Sequence, residues 1–88
     1  MSVAAEYDRL VANARDLYWR QLAYIKDPNT REEKFKLMSE GTTLIDSISR
    51  FITENTFKSR VIEDVQLWIE LTCWNMRVKV FQQTIATL

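Results

Sequence analysis

The first third of the chain places apolar residues at Val3, Tyr7, Leu10, Val11, Ala14, Leu17, Tyr18, Leu22 and Ile25. Steps of three and four set them on one face of a helix. Asp16 and Arg20 form an i,i+4 pair on its outer side. The stop is Lys26-Asp27-Pro28, because proline cannot continue a helix and biases the preceding residue away from helical angles. This pattern predicts a helix over 3–26.

The next start is Thr30-Arg31-Glu32-Glu33, a capping box in which the Thr30 hydroxyl accepts the Glu33 amide and Glu33 reaches back. A second helix is predicted over 30–53, carrying Phe35, Leu37, Met38, Leu44, Ile45, Ile48, Phe51 and Ile52. Gly41 falls within its apolar face, where it costs about 1 kcal/mol relative to alanine. The expected return is a close crossing with a bulky residue on a facing helix. A break is expected across 54–59, with Asn55, Thr56 or Ser59 as caps. A third, long helix is predicted over 59–87. Short connections make successive helices antiparallel, so the expected fold is all-α: an up-down-up three-helix bundle forming one domain over 1–88.

The third helix carries two apolar strips. Residues spaced by about 100° give one strip of Val61, Val65, Trp68, Ile69, Thr72, Met76 and Val80. The other holds Leu67, Leu71, Trp74, Val78, Phe81, Ile85 and Leu88, and its steps of four and three have the spacing of a heptad seam. The strip centres lie about 170° apart. Glu63, Gln66, Glu70 and Arg77 fill one intervening seam, and Asp64, Asn75 and Gln82 the other. Two shorter helices converging on one axis cover one strip. A central helix sandwiched between its neighbours would need both faces and no partner. The converging arrangement is expected, with the heptad strip left for another chain. Trp19 lies opposite the core face of the first helix, beside Ala5, Ala12 and Ala23, and is a second candidate interface anchor.

Composition narrows the chemistry. The 88 residues are 47% hydrophobic and contain one Gly, enough for a single modest core and too few turn residues for a sandwich or barrel. Twelve basic residues balance twelve acidic ones with no basic stripe, so a nucleic-acid partner is not expected. With no His there is no imidazole base, His-ligated metal or His-activated nucleophile. Cys73 is alone and flanked by Leu71 and Trp74, which reads as a buried structural thiol in a reducing compartment. The neighbouring carboxylates Glu32-Glu33 and Glu63-Asp64 diverge on a helix, and one glycine builds no phosphate loop. No catalytic residue, cofactor or metal is expected. Glu6, Asp8 and Arg9 interrupt any leader-like run, and the uncharged stretch 80–88 is too short for a membrane span, so a cytoplasmic protein without membrane contact is expected.

Arg15, Arg20, Lys26 and Arg31-Glu32 loosely resemble the basic residues and Arg-Glu pair of helical chorismate mutases, which are intertwined dimers of three-helix chains acting without histidine or cofactor. The resemblance implies a dicarboxylate substrate bound by arginines at a subunit junction, with Gln82 or Gln83 as a late glutamine. The sequence departs from that pattern. Only five positions separate Lys26 from Arg31, and the aspartate that precedes the family's Arg-Glu pair is missing. The enzyme is therefore the remote alternative.

The reading from sequence is a non-enzymatic protein-protein interaction module, of adaptor, chaperone or inhibitor type. It is expected to self-associate as a homodimer or small homo-oligomer through Leu67, Leu71, Trp74, Val78, Phe81 and Ile85, with Trp19 as a further contact. The assembled surface would then bind another protein. An obligate subunit or chaperone in a hetero-complex is the alternative.

Overall fold

A computed structural model describes residues 2–58 and 65–88, with side chains described to residue 55 and from residue 65. The described residues form three packed helices and no strand: α1 (Val3–Lys26), α2 (Arg31–Lys58) and α3 (Val65–Ala86). The expectations that fall on Val61, Glu63 and Asp64, and on Thr56 and Ser59 as caps, lie outside the described side chains.

The ends of α1 follow the local chemistry. The Ser2 hydroxyl accepts the Ala5 amide at 3.1 Å, which satisfies one of the free N–H groups at the start of a helix. At the other end Asp27 leaves helical angles at φ −145°, ψ 75°, as Pro28 requires. The start of α2 is half of the expected capping box. Thr30 Oγ1 accepts the Glu33 amide at 3.1 Å, but the Thr30 amide donates to the Asn29 side chain instead of to Glu33. Asparagine one residue ahead offers a shorter reach than glutamate three residues on.

α2 runs five residues beyond the expected end at 53. Nothing after Gly41 breaks a helix, since no proline or second glycine follows. Asn55, expected as a cap, instead donates from its side chain to the Phe51 carbonyl at 2.7 Å, one turn back within the helix.

The core is built from Tyr7, Leu10, Ala14, Leu17 and Tyr24 of α1, Leu37, Leu44, Ile48 and Phe51 of α2, and Leu71, Val78 and Ile85 of α3. Contacts fix the order of packing. Tyr7 donates to the Leu67 carbonyl and Gln21 to the Val78 carbonyl, so positions on α1 and α3 climb together. Met38 meets Gln82 and Phe51 meets Trp68, so positions on α2 and α3 run in opposite order.

Gly41 is buried where α2 and α3 cross. A Cβ there would lie 1.7 Å from Gln82 Oε1. Gln82 uses that space to donate to the Met38 carbonyl at 3.1 Å and to Thr42 Oγ1 at 3.0 Å. The bulky neighbour anticipated for Gly41 is therefore a glutamine.

Candidate interaction surface

The two strips of α3 exchange the roles expected for them. Leu71, Val78 and Ile85 are fully buried against α1 and α2, with Leu67 half-buried beside them. Trp74 and Phe81 are half-buried on Tyr18, whose ring stacks on Phe81 at 4.8 Å and meets Trp74 edge-on at 5.5 Å. These residues are thus the protomer's own core and not a face left for a partner. A seam with steps of four and three packs equally well on helices of its own chain. Its regularity over the whole length of α3 lets α1 and α2 follow it from Leu67 to Ile85. Only Leu88, past the end of the helix, stays exposed.

The opposite strip faces solvent. Val65, Ile69, Met76 and Val80 are 66%, 56%, 59% and 57% exposed. Thr72 and Cys73 lie exposed between them, so the thiol expected to be buried is on the surface. Cys73 follows the outward strip because it lies one turn from Ile69 and less than one turn from Met76. Trp68, at the strip's edge, is half-buried on Phe51 at 5.9 Å between ring centroids. From Val65 to Val80 the strip covers about 22 Å of helix at 1.5 Å per residue. Large side chains exposed singly are ordinary on a soluble protein; four in one line along a helix are an apolar patch.

Trp19 is 60% exposed, with its ring edge-on to Tyr18 at 5.3 Å. It points away from the core of α1, as its position predicts, and is separate from the α3 strip. Phe35 is also exposed, among polar positions on the outer side of α2.

The basic residues that resembled a dicarboxylate site are otherwise engaged or exposed. Arg20 donates to Asp16 at 3.0 Å and to Glu40 at 2.7 Å. The Glu40 bond, more than any other contact, raises the Arg20 pKa. Arg15, Lys26 and Arg31 are exposed. A groove of about 420 Å³ between α1 and α2 is lined by Arg9, Asn13, Asp16, Arg20, Ser39 and Glu40 among others, and the Arg20–Glu40 pair bridges it. Beside it Arg9 binds Glu6 and holds that carboxyl below its usual range. Among the described residues no cluster of His, Cys, Asp and Glu could hold a metal ion. No helix of the described residues is long and apolar enough to cross a membrane.

A polar layer in the core escaped the sequence pattern. Gln21 is fully buried, and its Nε2 donates to the Val78 carbonyl at 3.4 Å. Asn75 is also buried. Gln21 Oε1, Asn75 Oδ1 and Gln82 Oε1 have no hydrogen-bond partner. The signal was present in the register: Gln21 follows Leu17 by four residues and Ala14 by seven, which places it on the core face.

No family model matches this chain, and no curated protein or solved structure is significantly similar to it.

Proposed function

We propose that this protein is a non-enzymatic association module whose contact surface is the outward strip of α3: Val65, Ile69, Met76 and Val80, with Thr72 and Cys73 between them. In this reading the chain is an up-down-up bundle completed by self-association, and the assembled form binds a further protein as an adaptor does. The observation that carries it is the line of four large apolar side chains exposed along one helix whose other face already forms the core. Covering such a strip removes apolar surface from water at about 25 cal/mol per Å², offset by the entropy lost on association. A single helical strip is smaller than the roughly 800 Å² per partner of a standard stable interface. The association is therefore reversible and concentration-dependent. An exposed lone thiol fits the reducing cytoplasm.

Light scattering across a concentration series tests this. The wild-type mass rises from 10.5 kDa toward twice that value. Ile69→Glu, which places a charge in the strip without entering the core, holds it at the monomer. A chain that stays monomeric to millimolar concentration contradicts self-association. A chain that aggregates alone and becomes soluble with a co-expressed partner supports the hetero-complex instead.

A further inference from the structure

The outward strip of α3 reads alike in both directions. Val65 and Ile69 precede the midpoint between Thr72 and Cys73 by the same numbers of residues by which Val80 and Met76 follow it. Building on the association reading above, we propose that the occupant of this surface is a second copy of the chain. The two α3 helices cross antiparallel, with a two-fold axis beside Thr72 and Cys73.

A two-fold contact joins the same patch on both subunits, so it must be self-complementary. Here Val65 comes level with the partner's Val80, and Ile69 with the partner's Met76, so each large apolar side chain meets another. A polar residue opposite any of the four would be left against an apolar neighbour. None is.

Charge selects the direction. On a regular helix Glu70 and Arg77 fall on one flank of the strip and Lys79 on the other. Glu70, Arg77 and Lys79 are exposed. Glu70 accepts a long bond from the Tyr7 hydroxyl at 3.5 Å and Arg77 lies over the Trp74 ring at 4.7 Å, and among the described residues none of the three forms an ion pair within the chain. In the antiparallel pair the two-fold axis is perpendicular to both helices, and each flank meets its own copy. Glu70 then lies within about 3 Å, along the axis, of the level of the partner's Arg77, and the contact occurs twice. In a parallel pair the flanks exchange, and Lys79 comes beside the partner's Arg77, also twice. Opposite charges across one arrangement and like charges across the other favour the antiparallel crossing.

The test uses Val65→Cys and Val80→Cys, prepared as separate chains in a Cys73→Ser background and mixed under mild oxidation. The antiparallel crossing gives mainly the mixed Val65→Cys/Val80→Cys disulfide. Arg77→Glu weakens dimerisation about tenfold, through two lost attractions and two new repulsions at exposed sites. Glu70→Arg together with Arg77→Glu restores it to near the wild-type value. A dominant disulfide between two Val65→Cys chains would overturn the antiparallel crossing and leave self-association standing. If the double charge reversal fails to rescue the folded Arg77→Glu chain, the charge pairing is overturned. A wild-type chain that light scattering finds monomeric throughout removes the proposal together with the reading on which it rests.

Discussion

The two sides of α3 differ little in apolar content. On the inward side Leu71, Val78 and Ile85 are sealed by α1 and α2, and Trp74 and Phe81 lie against Tyr18. On the outward side Val65, Ile69, Met76 and Val80 stand in solvent over a similar length of helix. The inward strip extends without interruption to the last turn and is flanked by Asn75 and Gln82, which reach into the packed interior. The outward strip is broken at its centre by Thr72 and Cys73. An apolar face is therefore not assigned to core or contact by hydrophobicity alone. In α3 the face that runs unbroken is the one that α1 and α2 follow.

Truncation on the inward side has the largest expected effect. Leu71→Ala leaves a cavity at a fully buried core site and lowers stability by about 2–5 kcal/mol in chemical denaturation. A smaller effect of opposite sign is expected at the polar layer. Gln21→Leu keeps a side chain of similar size and removes the buried Oε1 that lacks a partner, stabilising the fold by about 1 kcal/mol. A loss there would mean that Gln21 anchors α1 to the Val78 carbonyl more strongly than its 3.4 Å bond indicates. On the outward side, Ile69→Glu changes monomer stability at dilute concentration by no more than about 0.5 kcal/mol, since it faces solvent. If it unfolds the protomer as Leu71→Ala does, the two faces are not distinct.

The smallest effect is expected far from α3. Arg9 holds the half-buried Glu6 carboxyl below its ordinary value of 4.5. A carboxylate with a depressed folded pKa contributes stability that is present above the unfolded value and is lost as pH falls through the folded one. Glu6→Gln therefore slightly flattens the acid limb of a stability-pH profile and leaves its neutral region almost unchanged. An unaltered acid limb would show that this surface pair does not contribute to folding.

Helix number and the first two starts were legible in the sequence because the apolar spacing begins at Val3 and because Pro28 and Thr30 act through local backbone chemistry. Gly41 was legible as a close crossing because a mid-helix glycine has a cost that tertiary packing must offset. The end of α2 was misplaced because Asn55 can cap or continue a helix, and only its bond to Phe51 decides. Which strip of α3 turns inward was not legible in the sequence. Periodicity reports that a face is apolar, and whose helix covers it is a tertiary property. The exposure of Cys73 was hidden for the same reason, since its orientation follows that of the strip. Gln21 was not legible as a core residue because apolar periodicity does not mark a polar side chain at a core position.

Cys73 gives the most direct test of the central claim, because it is a natural thiol exposed in the middle of the outward strip. Its rate of reaction with a thiol reagent is to be followed from low micromolar to millimolar protein, in the wild type and in Ile69→Glu. The account predicts that the wild-type rate constant falls as concentration rises, while that of Ile69→Glu stays flat. A wild-type rate constant independent of concentration, in a chain that nonetheless assembles, would place the contact elsewhere and contradict the account.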